Sequence, residues 1–161
     1  MQAKRGFTLV EILIVVVILG ILAAIVIPQF TQASTEAKEN SLCSNLQSLR
    51  SQVELYKVQH NDDVPLPEAA GTWNVMVYAT DIDGATAGTP SKERDAANDI
   101  IYGPYLERVP VNPFNDLDTI KEVAAKAAAD NLTGWCIVTT TGEVYANDDK
   151  TTADGTAHSA L

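Results

Sequence analysis

Hydrophobic and polar positions divide this chain into three regimes. From Ile12 to Ile27 no charged or strongly polar side chain occurs; Leu, Ile and Val dominate, with Gly20, Ala23 and Ala24 as the small members. Phe7 to Ile27 is 21 residues, and at about 1.5 Å of helical rise per residue it matches the hydrocarbon core of a bilayer. The pattern therefore predicts a membrane-spanning helix. Beyond Pro28 the sequence becomes one-sided. Phe30, Ala33 and Ala37, then Leu42, Leu46, Leu49, Val53 and Tyr56, recur at mostly three- and four-residue steps, one face of a helix. No Gly or Pro interrupts Gln29 to Gln59, so a single long helix is expected, with a kink favoured at Pro28. Arg50 and Glu54 are spaced for an i,i+4 pair. The third regime alternates: Gly134 to Thr139 and Glu143 to Ala146, around the turn at Thr141-Gly142, predict a β-hairpin whose apolar face covers the helical stripe.

Between these regimes, His60-Asn61-Asp62-Asp63 with Pro65 and Pro67 ends the long helix. Trp73, Met76, Val77 and Thr80 suggest a two-turn helix packed on the domain. Residues 81–99 read as an exposed loop, and Asp81-Ile82-Asp83-Gly84 as a turn, because a calcium loop would need further acids and a closing Glu. Tyr102 to Phe114 carries three prolines among large apolar residues and reads as an ordered, packed loop. Thr119 to Asp130 is ambiguous: Ile120, Val123, Ala124 and Ala127 have helical spacing and the Ala-rich part leans toward helix, while Thr119 to Val123 could equally open as a strand.

Composition adds a sign. The formal net charge is −10, with 11 Lys and Arg against 21 Asp and Glu. That acidity argues against phosphate-directed nucleic-acid binding and is read as a solvated acidic surface. Lys4 and Arg5 precede the apolar run with no acid beside them, so the N-terminal flank stays in the cytoplasm and the rest crosses. Glu11 is the exception within the run. Thr8-Leu9-Val10-Glu11 fits a capping box, but a carboxylate at a bilayer's edge also asks for a cation, since an unpaired charge there is costly. A secretory signal peptide fits poorly: Glu11 interrupts the apolar region, and Ile27-Pro28-Gln29-Phe30 is a poor cleavage site. No catalytic constellation appears. His60 and His158 are isolated, and no nucleophile elbow or phosphate-binding glycine loop occurs.

Gly6-Phe7-Thr8-Leu9-Val10-Glu11, after a short basic leader and with Gly20 and Pro28 following, resembles the N-terminus of type IV pilins and pseudopilins. Tyr102 to Leu106 and Pro110-Val111-Asn112-Pro113-Phe114 resemble the loop of the major pseudopilins of type II secretion, with Asn112 where many members have Asp. The resemblance implies cleavage between Gly6 and Phe7 by a prepilin peptidase, N-methylation of Phe7, and pairing of Glu11 with the new Phe7 amine of a neighbouring copy. Loss of Lys4 and Arg5 leaves 9 basic against 21 acidic side chains, a formal −12. It also implies loosening of the helix between Gly20 and Pro28 on assembly.

The expected fold is α+β and pilin-like: a long N-terminal helix on a small C-terminal antiparallel sheet. Residues 1–6 are the leader, 7–28 the membrane and filament-core helix, 29–60 its amphipathic half, 61–147 the globular domain, and 148–161 an acidic flexible tail. Major pseudopilins often bind calcium in a C-terminal acidic loop. Asp148, Asp149 and Asp154 are the carboxylates at hand, although they do not reproduce that pattern position by position; no other cofactor is expected. Cys43 and Cys136 are either bridged, as an oxidising periplasm permits, or two free thiols.

The function so implied is a pseudopilus subunit anchored in the bacterial inner membrane with its domain in the periplasm, later part of a filament. Expected partners are copies of itself, minor pseudopilins or pilins, the prepilin peptidase and methyltransferase, the inner-membrane assembly platform and membrane lipid, with no nucleic acid. Alternatives are a type IV pilin of an adhesion or motility fibre, or a membrane-anchored binding domain that never polymerises.

Overall fold

The computed structural model describes residues 7–68, 71–86 and 90–161; the leader, including the Gly6 side of the expected cleavage, lies outside the described residues. The chain divides into two compact units, Met1–Ala37 and Lys38–Leu161. Helix α1, Leu9–Gln59, contributes to both and runs through Pro28 as one element. Its first half carries large apolar side chains all round, and from Ile12 to Ile25 each of them is more than half exposed. This stretch is long and apolar enough to cross a membrane. After Pro28, the hydroxyls of Thr31 and Thr35 donate to the carbonyls of Ile27 and Thr31, four residues back.

In the second unit the helical stripe is buried from Leu42 onward: Leu42, Leu46, Leu49, Val53 and Tyr56 are each 3 % exposed or less. Phe30, Ala33 and Ala37, the earlier members of the same predicted stripe, are exposed. The buried five meet Trp73, Met76, Ile120, Trp135, Ile137 and Val144 in one core. Helix α2, Asn74–Val77, is a single turn rather than the expected two. Arg50 does not pair with Glu54. Its Nε and Nη1 donate instead to the carbonyls of Val144 and Leu161 at 3.0 and 2.9 Å, and Glu54 accepts from Lys57 at 3.5 Å.

The sheet has three strands, β1 (Ile120–Val123), β2 (Trp135–Val138) and β3 (Val144–Ala146), in the order β1-β2-β3. β2 and β3 form the predicted antiparallel hairpin, with Ile137 opposite Val144 and Trp135 opposite Ala146. β1, however, runs parallel to β2, Ile120 opposite Trp135, so the sheet is mixed rather than wholly antiparallel. A parallel pair needs a connection that returns along the sheet. The Ala-rich segment after Val123 is that return, and it is not helical. Its anchors outweigh alanine's helix propensity. Lys126 bonds Glu143 at 2.7 Å and lies over the Tyr145 ring, the Ala127 amide donates to the Tyr145 hydroxyl, and the Asp130 amide donates to Asn147 Oδ1.

Alternation along β2 also places Cys136. Trp135 and Ile137 point into the core with α1, while Cys136 and Val138 lie on the opposite face with Tyr145 and Val123. Cys43, half-buried on α1, and Cys136 are both free thiols. Burial pushes the Cys136 thiol pKa up. Asp81-Gly84 is the turn expected: Asp81 Oδ1 accepts the amides of Asp83 and Ala85 at 3.0 and 2.8 Å. Gly84 has φ +80°, and a Cβ there would run into the Tyr56 hydroxyl.

Candidate assembly site and the C-terminal network

The start of α1 is built by two residues. Thr8 precedes the first helical residue, and its Oγ1 accepts the Glu11 amide at 3.2 Å. Glu11 Oε2 returns to accept both the Thr8 amide and the Thr8 hydroxyl at 2.8 Å. This reciprocal arrangement is a capping box, and it satisfies amides that a helix start leaves unpaired. Phe7 is 83 % exposed. Phe7, Leu9, Ile12, Leu13 and Val16 flank a shallow apolar depression beside Thr8. Among the described residues no basic side chain pairs with Glu11. Among the described residues, then, the carboxylate caps the helix and has no cation. Gly20 and Pro28 both sit inside continuous helix, and nothing lies within 4 Å of a Cβ placed on Gly20.

The second grouping lies where a flexible tail was expected. Residues 148–161 fold back onto the domain instead. Thr151 and Ala157 form an isolated bridge, closed by the turn in which Gly155 has φ +87°. That turn carries His158, fully buried, back to Asp148, 2 % exposed, with Nδ1 to Oδ1 at 2.6 Å. Asp148 Oδ2 accepts Asn112 Nδ2 at 2.8 Å. Asn112 also donates to the Gly134 carbonyl at 3.0 Å, and its own Oδ1 accepts the Phe114 amide at 2.9 Å. The Phe114 ring packs on His158 with centroids 4.3 Å apart, and Leu161 joins the main core.

The packed loop expected at Tyr102 to Phe114 is thus also the anchor of the tail. Pro110 adds a carbonyl that accepts Trp135 Nε1 at 2.7 Å, and the Tyr105 and Leu106 amides both donate to the Met76 carbonyl. Burial raises the Tyr105 phenol to about 12.

The three candidate calcium carboxylates are not gathered: among the described residues no group of three or more His, Cys, Asp or Glu side chains is placed to hold a metal ion. Asp149 pairs with Lys150 at 3.0 Å, and Asp154 Oδ1 accepts the Thr156 amide at 3.1 Å. Nearby, Asp130 accepts Lys121 Nζ and Asn147 Nδ2, which hold its carboxyl at about 2.

Reading the sequence alone missed His158, Arg50 and the Asn112 amide as partners of the tail. The available signal was a His and an Asp ten residues apart on either side of an Asp154-Gly155 turn.

A model of the prokaryotic N-terminal methylation motif matches residues 1–27. The type II secretion system core protein G of Klebsiella pneumoniae is 33 % identical over 116 residues, 71 % of each chain. Its counterpart in Pseudomonas aeruginosa (strain PAO1) is 42 % identical over 115 residues, again 71 % of each. That of Aeromonas hydrophila is 30 % identical over 118 residues, 72 % of this chain and 73 % of the relative. No solved structure matches this chain.

Proposed function

This chain belongs to the type II secretion system core protein G family, and from that premise we propose that it is the repeating subunit of a pseudopilus that helps move secreted proteins across the outer membrane. Its role is mechanical rather than catalytic. The observation that carries the reading is a carboxylate, Glu11, at the start of an exposed apolar stretch of helix, with no cation paired to it among the described residues. In the precursor the helix anchors the chain in the inner membrane, with the domain of residues 38–161 on the periplasmic side. Cleavage after Gly6 frees the Phe7 amine, which is then N-methylated.

On assembly, the Phe7 amine of one copy supplies the charge that Glu11 of the next copy lacks. Glu11 then exchanges or shares its capping bonds to Thr8 for an ion pair in a medium where such pairing matters more than in water. Helices bundle around that contact, and Gly20 and Pro28 mark the stretch where the helix yields. The partners that follow are copies of this chain, minor pseudopilins, the processing peptidase and methyltransferase, and the inner-membrane assembly platform.

The intact mass and N-terminal peptide of the protein from its native membranes test this. A chain that starts at N-methylated Phe7 is expected, together with loss of filaments and of secretion in a Glu11→Leu strain. A chain starting at Met1, or a Glu11→Leu strain that assembles normally, would return the protein to a simple membrane-anchored domain. Normal secretion alongside lost surface fibres would instead favour a type IV pilin.

A further inference from the structure

The carboxylates available to a C-terminal calcium loop are already engaged by hydrogen-bond donors. Asp148 is buried with Oδ2 on Asn112 Nδ2 at 2.8 Å and Oδ1 on His158 Nδ1 at 2.6 Å and on the Lys150 amide at 3.2 Å. Asp149 faces the Lys150 ammonium. Asp154 accepts the Thr152 hydroxyl and the Thr156 amide within its own turn. Calcium takes six to eight oxygen ligands. A ring N–H, a carboxamide N–H and an ammonium on these same carboxylates are donors, not ligands, so the residues present do not fit the ion.

We propose that in this protein the His158 imidazole does the work of a bound cation: its Nδ1–H closes Asp148 onto Asn112 and fastens residues 148–161 to the sheet without metal. Both Asp148 oxygens already accept from other donors, Oδ2 from Asn112 and Oδ1 from the Lys150 amide, so the ring nitrogen facing them is assigned as a donor. Nε2 is buried and has no hydrogen-bond partner among the described residues, so Nδ1 is the ring's polar attachment. The backbone reinforces the same closure, since the His158 amide donates to the Lys150 carbonyl at 3.0 Å and the Thr152 amide to the Thr156 carbonyl at 2.8 Å. Phe114, just beyond Asn112 and Pro113 on the proline-rich loop, covers the ring, and Leu161 reaches the core. One contact thereby joins the proline-rich loop, the end of β3 and the last turn of the chain.

The test uses the full chain in detergent micelles, followed by thermal melting and by carboxypeptidase digestion, each in EDTA and in millimolar calcium chloride. The wild-type chain is expected to melt at the same temperature in both and to keep its C-terminal residues. His158→Phe keeps a ring but loses the N–H; it should melt several degrees lower in both buffers and lose its tail to the peptidase. Asn112→Asp sets a second carboxylate against Asp148 and should melt lower in EDTA, with recovery in calcium. The proposal is overturned if calcium raises the wild-type melting temperature by several degrees. It is equally overturned if His158→Phe matches wild type in both readouts, or if Asn112→Asp melts like wild type in EDTA. Should His158→Phe not fold, the wild-type calcium comparison still decides.

Discussion

Leu19 and Leu46 lie on the same helix and differ in almost nothing but surroundings: the first is 58 % exposed and the second 1 %. Between Leu42 and Tyr56 the chain covers its own apolar stripe with Trp73, Met76, Trp135 and Ile137. From Ile12 to Ile27 no such cover exists among the described residues, and the apolar surface goes all round the helix rather than along one side. A one-sided helix finds its partner in its own domain, whereas an all-round apolar helix needs lipid or other helices. One half is thus answerable to folding and the other to membrane insertion and assembly.

Substitutions that separate the two halves sharpen this contrast. Leu46→Ala should cost about 2–5 kcal/mol of domain stability by creating a cavity, read by denaturant unfolding, whereas Ile18→Ala should leave that transition within about 0.5 kcal/mol. Equal losses at both sites would erase the distinction. Arg50→Ala removes charged donors from the Val144 and Leu161 carbonyls, and about 1.5–3 kcal/mol of destabilisation is expected by the same measurement. Thr8→Ala dismantles the capping box; a loss of about 1 kcal/mol confined to the helix start should appear as faster amide exchange there, with the domain transition unmoved.

The smallest effect concerns acid. Asp130 is lowered from 3.8 to about 2, chiefly by the Lys121 hydrogen bond. Its contribution is therefore complete above its unfolded value and is lost as pH falls through about 2. Because the pair is substantially exposed, less than about 1 kcal/mol is at stake. Asp130→Asn should flatten the acid limb of a stability-against-pH curve slightly and leave neutral stability little changed.

Much of this molecule is legible in its sequence, for identifiable reasons. The uniform run to Ile27, the stripe from Phe30 to Tyr56 and the alternation in the hairpin are local periodicities that became helix, helix and hairpin, although the stripe is buried only from Leu42 onward. The Thr8-Glu11 box is equally local. What escaped were long-range decisions. The direction of β1 against β2 is not encoded in four residues, and the alanines that suggested a helix serve as its return connection. Arg50 has an i,i+4 acid available yet reaches 94 residues ahead to Val144. His158 looked isolated because Asp148 and Asn112 approach it only after the tail turns at Gly155 and the proline-rich loop has packed.

The two outer strands of the sheet have a consequence for crowding. An outward backbone carbonyl on each edge is already taken: Ile120 on β1 receives the Gly71 amide at 3.2 Å, and Val144 on β3 receives Arg50 at 3.0 Å. Both strands are also short, four and three residues. Exposed, unpaired edges invite strands of other chains to add on. Both borders of the sheet are therefore blunted against runaway strand pairing, however densely the domains are crowded.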